Sequence, residues 1–198
     1  MAQPAHLHAA PRDGEQHPDA PVWRPACAAG ALPASASLAR WLTHAGSLTR
    51  RLRQCDAGPF ELEVIGEGWE PAPVDDRRRL GFDDADLYVR RVQMKVAGRA
   101  RVRACTIAPA ATVARHPWLM GLGATPLWEA LADRGDVTRT DFEYAAIGVA
   151  TARPSLVLRG LEDAGRGCWG RRSRFLLGDA PLLVYEFFLP AIDELGPA

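Results

Sequence analysis

Two charged residues stand where the sequence pattern predicts buried positions. Glu186 lies within the run Leu182–Leu189, LLVYEFFL, which is apolar on both faces when it is read as a β-strand. Arg90 lies in LYVRRVQMKV, where the even positions form the apolar face and Arg91 is predicted to face solvent. An unpaired buried charge is costly, so each needs a partner in the protein or in a ligand. The arginine fork suits a carboxylate and the glutamate can accept a hydrogen bond from a hydroxyl, so together they could hold a small hydroxylated acid.

The sequence leaves two interpretations of this pair open. In the first, Arg90 and Glu186 form a buried salt bridge with no further role. In the second, they stand apart and line a cavity for a ligand that carries both an acid and a hydroxyl group. Helix starts favour the second, because the backbone N–H groups of Leu48, after the predicted N-cap Ser47, and of Leu127 lack partners within their helices and attract anions.

The elements that position these residues follow from hydrophobic periodicity and turn residues. The predicted strands are a half-buried run from Phe60, the hairpin strands DLYVRRVQMKV and ARVRACTIAP, the stretch VTRTDFEYAAIG, and a last hairpin of RRSRFLL and PLLVYEFFLP. The predicted helices are SLARWLTHAG, SLTRRLRQC, HPWLMGLG and TPLWEALADRG, the last with Thr125 as its N-cap, whereas EPAPVDDRRRLGFDDA is predicted to be a polar connection. Tight turns join most strands, so the predicted fold class is α+β, with a single largely antiparallel β-sheet and helices on one side.

Composition limits the function classes. The chain has 198 residues, of which 24 are basic and 24 acidic, so no net charge favours a nucleic-acid or membrane partner. Four scattered cysteines are expected to be free thiols, with no metal site. Residues 1–34 are expected to be a disordered tail and 35–198 a single domain, in which 149–167 is irregular. No apolar run reaches the length of a membrane span and the first residues lack a secretory pattern, so we expect a cytoplasmic protein.

Several stretches, in this order, resemble chorismate pyruvate-lyase: GSLTRRL, YVRRV, TIAP, TPL, and WGRRSRF followed by APLLVYEFFLPA. The resemblance covers roughly Trp41–Ala191. It implies a carbon–oxygen lyase that converts chorismate to 4-hydroxybenzoate and pyruvate, the first committed step toward ubiquinone. It also implies a cofactor-free monomer whose ligand is enclosed under helical flaps. Substrate or product contacts are then expected at Leu48, Arg90, Leu127 and Glu186, of which Arg90 and Glu186 are the catalytic pair.

The chain departs from the family pattern near the expected site. Leu48 stands where Met is frequent, and Trp128 stands where Gly is familiar, which could reshape a flap. Neither change removes a charged site residue. The alternative function is a non-catalytic module that binds a small aromatic acid, because the fold also resembles the effector-binding domains of some transcription regulators.

Overall fold

The computed structural model describes residues 21–25, 35–84, 86–132, 134–148 and 168–196. Within these ranges the strands are β1 (Arg24–Pro25), β2 (Phe60–Pro71), β3 (Asp86–Val96), β4 (Arg99–Ala108), β5 (Val137–Arg139), β6 (Glu143–Ile147), β7 (Cys168–Leu177) and β8 (Ala180–Phe188). The α-helices are α1 (Ala36–Thr43), α2 (Leu48–Arg53), α3 (Val74–Leu80), α4 (Ala110–Arg115) and α5 (Leu127–Ala132), with 3-10 helices at Pro117–Gly121 and Pro190–Leu195. The predicted irregular segment 149–167 lies outside the described residues.

All described strands belong to one antiparallel sheet. The strand order is β1-β6-β7-β8-β4-β3-β2, and β5 pairs with β7 beside β6. The predicted α+β fold with a largely antiparallel sheet is therefore confirmed. The sheet joins two groups of sequence-adjacent strands, β2-β3-β4 and β6-β7-β8, along a seam where β4 pairs with β8.

Short turns set the register of the two long hairpins. Ala97 and Gly98 both have positive φ, 53° and 72°, as a two-residue turn between twisted strands requires. In the second hairpin Gly178, with φ of 63°, begins the turn that places Leu177 opposite Ala180. This register matters for the site, because it decides which side chains of β7 and β8 lie side by side.

Both faces of the central strands are covered, unlike the half-exposed β3 that the alternation predicts. Arg91 is only 7% exposed, and its guanidinium donates to the two oxygens of Glu70 at 2.6 and 2.9 Å. It lies on the face where Leu87 and Val89 pack into an apolar cluster. The prediction that Arg91 faces solvent is wrong, because a second layer of side chains covers this face of β3.

Helices α1 and α2 cover the opposite face of the sheet, where their apolar side chains cluster with those of β3, β4 and β8. Each begins at a serine: Leu38 N–H donates to Ser35 Oγ at 3.2 Å, and Arg50 N–H donates to Ser47 Oγ at 3.1 Å. The predicted N-cap at Ser47 is confirmed, so the start of α2, including Leu48, is fixed where the sequence places it.

Helix α3 corrects the prediction of a polar connection and the prediction that the helices lie on one side of the sheet. The segment predicted as a polar connection forms this helix, which ends at Gly81 in the left-handed conformation with φ of 74°. Its buried Leu80 joins the cluster on the Arg91 face, so α3 lies on the other side of the sheet from α1 and α2. Its two apolar residues, Val74 and Leu80, are six positions apart with only charged residues between them and gave no helical periodicity, although Pro73 before the helix and Gly81 after it are typical helix boundaries.

The start of the described chain corrects the predicted boundary of the tail. Trp23 packs with its ring centroid 5.4 Å from Tyr185, and the guanidinium carbon of Arg172 lies 4.7 Å from its ring centroid. Arg24 is the cross-strand partner of Tyr144. Residues of the predicted tail thus contribute a strand and an aromatic contact to the domain. The remainder of that tail lies outside the described residues.

Three cysteines of the described ranges, Cys55, Cys105 and Cys168, are buried free thiols, as predicted. In the same ranges no helix combines the length and the apolar character that a helical membrane crossing requires.

A partly buried polar network lies on the face that α3 covers. Tyr185 donates its hydroxyl hydrogen to Asp76, and Arg172 donates to Glu143 at 2.8 Å and to Asp75 at 3.0 Å. Burial raises the pKa of Asp76 to about 6, although the hydrogen bond from Tyr185 opposes the rise. The folded protein therefore holds a proton on Asp76 at a pH where the unfolded chain has already lost it.

We expect Asp76→Asn to stabilise the protein at pH 7 and to remove part of its pH dependence. Between about pH 4 and pH 6 the stability that Asp76 contributes falls as the pH rises, because the folded state still binds a proton that the unfolded state has released. Asparagine cannot ionise, so its advantage should grow across this interval to on the order of 3 kcal/mol. Urea unfolding of both proteins at pH 4.5 and 7.0 measures this difference in the free energy of unfolding.

Asp75→Asn is the matched control for this prediction. The pKa of Asp75 is lowered, since Arg172 and Arg79 together outweigh the effect of burial. Removing this charge should cost stability by about the same amount at pH 4.5 and at pH 7.0, because Asp75 titrates below about pH 4 in both the folded and the unfolded state. A stability difference for Asp76→Asn that is the same at both pH values would contradict the raised pKa.

Candidate functional site

A pocket lies on the α1–α2 face of the sheet, between two apolar clusters. One cluster gathers around α1 and α2, and the other around α4, α5 and the 3-10 helix Pro117–Gly121. The pocket wall includes all four residues that the sequence singled out as ligand contacts: Leu48, Arg90, Leu127 and Glu186. Helices α2 and α5 thus border the pocket, while β3, β4, β7 and β8 form its floor.

The cross-strand register determines which residues lie side by side on the pocket floor. Arg90 on β3 is opposite Thr106 on β4, Thr106 is opposite Val184 on β8, and Val184 is opposite Ser173 on β7. Glu186 lies two positions beyond Val184 and therefore on the same face. Arg90 on β3 and Glu186 on β8 are two strands apart, with β4 between them, and each strand spacing is about 4.8 Å. The two charges consequently stand apart, on either side of the seam.

Arg90 is held by the segment that leads into α5. It is only 2% exposed, and its Nη2 donates to the carbonyl oxygens of Gly123 at 2.7 Å and Thr125 at 3.1 Å. Its Nε is buried without a hydrogen-bond partner. Burial lowers the pKa of Arg90, with the carboxylate of Glu67 acting in the opposite direction, but a guanidinium remains cationic at neutral pH. Arg90 therefore retains both a charge and a donor for an anion in the pocket.

Glu186 is paired within the protein, but with Arg171 instead of Arg90. Arg171 Nε donates to Glu186 Oε2 at 2.5 Å. Arg171 is only 1% exposed, and its Nη1 also donates to the carbonyl oxygens of Leu42 at 3.0 Å and His44 at 2.6 Å. One arginine thus fixes the carboxylate and ties it to the end of α1. The Arg90–Glu186 salt bridge that the sequence left open is not formed.

Sequence reasoning missed Arg171, although the signal was present. It stands in the motif WGRRSRF, and the turn at Gly178 places Leu177 opposite Ala180. Counting back equally along both strands brings Arg171 opposite Glu186. A two-residue hairpin register would therefore have identified the partner.

The helix starts lie where the sequence placed them, with one difference. Leu48 is the first residue of α2 and is buried, and Leu127 is the first residue of α5. The carbonyl of Pro126, instead of that of the predicted N-cap Thr125, accepts the first helical N–H groups of α5. Thr125 turns its carbonyl to Arg90, so the start of α5 is coupled to the pocket arginine.

Trp128, the departure that could reshape a flap, forms part of the pocket wall. Its ring centroid lies 6.3 Å from that of Phe175, in an edge-to-face arrangement. The guanidinium carbon of Arg139 lies 5.5 Å from the Trp128 ring centroid. The large side chain thus closes this side of the pocket by packing on the sheet and on an arginine that the sequence analysis did not single out.

Comparison with known proteins gives concordant results. A family model described as "Chorismate lyase" matches residues 18–194. A relative named "Probable chorismate pyruvate-lyase 2" from Pseudomonas fluorescens (strain Pf0-1) is 34% identical over 182 residues, which cover 90% of this chain and 94% of the relative. A "Probable chorismate pyruvate-lyase" from Thiobacillus denitrificans is 38% identical over 165 residues, covering 82% and 87%.

Among solved structures, the crystal structure of PhnF from Mycobacterium smegmatis is similar in fold. The TM-score is 0.50 at 14% sequence identity, and the match covers 74% of this chain and 65% of that chain. At this identity the likeness concerns the arrangement of strands and helices alone.

Proposed function

The chain belongs to the chorismate lyase family and is a lyase, and we propose that it converts chorismate to 4-hydroxybenzoate and pyruvate, at the first committed step toward ubiquinone. The observation that carries the proposal is the placement of Arg90 and Glu186 on either side of one pocket, each held by the protein but not by the other. A planar ring with an acid at one end and a hydroxyl at the other fits such an arrangement.

Each charge has a defined part in the proposed binding mode. Arg90 binds the ring carboxylate through the donors that the carbonyls of Gly123 and Thr125 leave available. The backbone N–H groups of Leu48 and Leu127 assist it. Glu186 accepts the hydrogen bond of the ring hydroxyl, which becomes the phenol of the product.

The proposed reaction is a cyclic shift through six atoms. The C4–H bond of the ring breaks, and its hydrogen moves to the methylene carbon of the enolpyruvyl group. The ether bond between C3 and oxygen breaks at the same time, C3 and C4 become doubly bonded in the new aromatic ring, and the oxygen becomes the keto group of pyruvate. This path balances without an added nucleophile, base or redox partner. The protein's contribution is to position the substrate and to present fixed charges to it.

We expect turnover to survive chelation, because no step of the cyclic shift requires a metal ion. Purified protein is mixed with chorismate, with and without EDTA, and 4-hydroxybenzoate and pyruvate are quantified. Equal amounts of the two products at the same rate in both samples are expected. Activity that EDTA abolishes and a divalent cation restores would overturn the cofactor-free mechanism.

The same experiment tests the alternative function. A non-catalytic module for small aromatic acids would show a rise in melting temperature with 4-hydroxybenzoate but would release no pyruvate from chorismate. Protein carrying Arg90→Gln serves as the negative control, because it separates pocket-dependent turnover from spontaneous decay of chorismate.

A further inference from the structure

A third arginine, Arg139, borders the same pocket. It ends β5 and is the cross-strand partner of Phe175. Its Nη2 donates to the carbonyl oxygen of Ala45 in the connection between α1 and α2. Its guanidinium carbon lies 4.5 Å from the ring centroid of Phe142 and 5.5 Å from that of Trp128. Packing against these rings and that of Phe175, together with the hydrogen bond to a carbonyl, holds the charge in place.

The charge of Arg139 is not neutralised by an ion pair within the described part of the chain. Its hydrogen bond goes to a carbonyl and its other contacts are aromatic. The nearby Glu186 already forms an ion pair with Arg171. Among the residues that the structure describes, the charged side chains of the pocket wall are three arginines and one glutamate. After the Arg171–Glu186 pair is set aside, two cations remain, and the pocket has the charge to accept two carboxylates.

The proposed substrate carries two carboxylates, whereas the aromatic product carries one. The first is on the ring and the second belongs to the enolpyruvyl group, whose ether oxygen is attached beside the hydroxyl-bearing carbon. When the hydroxyl binds Glu186, the enolpyruvyl group therefore lies on the Glu186 side of the pocket, away from Arg90. Arg139 is on that side, because its guanidinium carbon and that of Arg171, the partner of Glu186, lie 4.5 and 4.2 Å from the same Phe142 ring centroid.

We propose that Arg139 binds the second carboxylate of the substrate, the one that leaves as pyruvate, and so distinguishes substrate from product. This inference rests on the proposed function. Arg139 contributes to the binding of the dianionic substrate but makes no contact with the monoanionic product. Once pyruvate has departed, Arg90 and Glu186, assisted by the N–H groups of Leu48 and Leu127, retain the aromatic acid. Arg139 is therefore a substrate-selective binding residue, and its removal should affect KM without affecting product affinity.

The test compares Arg139→Gln with Arg139→Lys and the wild type. Glutamine keeps a donor for the Ala45 carbonyl but lacks the charge, and lysine restores the charge. For Arg139→Gln, KM for chorismate should rise roughly 10- to 100-fold, because a charged hydrogen-bonded contact is lost. Its kcat should change less, and its Kd for 4-hydroxybenzoate, measured by calorimetry, should stay near the wild-type value. Arg139→Lys should recover part of the KM.

Arg134→Gln is the matched control. Arg134 also stacks on a tryptophan, with its guanidinium carbon 4.1 Å from the Trp118 ring centroid, and donates to a carbonyl, that of Ala130, at 3.0 Å. It is not among the residues of the pocket wall. Its substitution should leave both KM and the Kd of 4-hydroxybenzoate unchanged.

Two results would overturn the inference: an unchanged KM in Arg139→Gln, or equal losses of affinity for chorismate and 4-hydroxybenzoate. Failure of the proposed function is a separate outcome, seen as absence of turnover by the wild type. In that case the rise in melting temperature that chorismate induces is compared between wild type and Arg139→Gln. A smaller rise in the variant supports the contact to the second carboxylate, and an equal rise rejects it.

Discussion

Arg90→Gln should lower kcat/KM for chorismate by roughly 10²- to 10³-fold, the scale on which fixed charges act in reactions of this kind. The free protein should melt close to the wild type, because the hydrogen bonds of Arg90 go to two carbonyls, and glutamine can donate to one of them. The substitution should instead weaken ligand binding, since the pocket then lacks the cation that binds the ring carboxylate.

Kinetics with chorismate and thermal melts with and without 4-hydroxybenzoate check this result. The neighbouring Arg91→Gln is a stringent control. Arg91 is also buried, on the other face, but it forms a salt bridge with Glu70, so its loss should lower the melting temperature and leave the ligand-induced rise intact. If Arg90→Gln binds 4-hydroxybenzoate as tightly as the wild type, Arg90 does not bind the carboxylate.

Glu186→Gln should lose both turnover and stability. Its carboxylate accepts from Arg171, which is only 1% exposed, and glutamine cannot neutralise that charge. Leaving one member of a buried ion pair without its partner typically costs on the order of 3–5 kcal/mol. The hydroxyl of the substrate loses its charged acceptor in the same variant, so activity falls even where the protein remains folded.

Urea unfolding and single-turnover kinetics at a temperature where the variant is folded separate the two losses. The double variant Glu186→Leu with Arg171→Met should regain part of the stability and none of the activity. The recovery is partial because Arg171 also donates to the carbonyls of Leu42 and His44. A single variant that unfolds at the wild-type urea concentration would show that the ion pair contributes nothing to stability.

The sequence predicted the pocket arginine and glutamate for a physical reason. Alternation assigns side chains to faces, and a charge on an apolar face stands out at once, as Arg90 and Glu186 do. The same rule failed for Arg91, because alternation says which residues share a face but does not say whether another layer covers it. Burial on the far side depends on α3, whose segment was predicted to be a polar connection, and on the start of the chain, which is distant in sequence.

Partners across strands were harder to predict than faces. Arg171 and Arg139 are polar residues near the ends of predicted strands, and nothing in their immediate neighbours marks them as buried or as bordering a pocket. Their roles follow from the register of β7 with β8 and of β5 with β7. Trp23 was missed for a similar reason, since its contact with Tyr185 joins residues at opposite ends of the chain.

The pocket forms during folding only when β4 pairs with β8 along the seam. Each group of strands beside it can form from neighbouring segments, but pairing Thr106 with Val184 closes a loop of roughly 80 residues, which is slow and entropically costly. Arg90 belongs to one group and Glu186 to the other. A chain with both hairpins formed but the seam open has the charges and no pocket, and a ligand held by both charges links the two halves of the sheet.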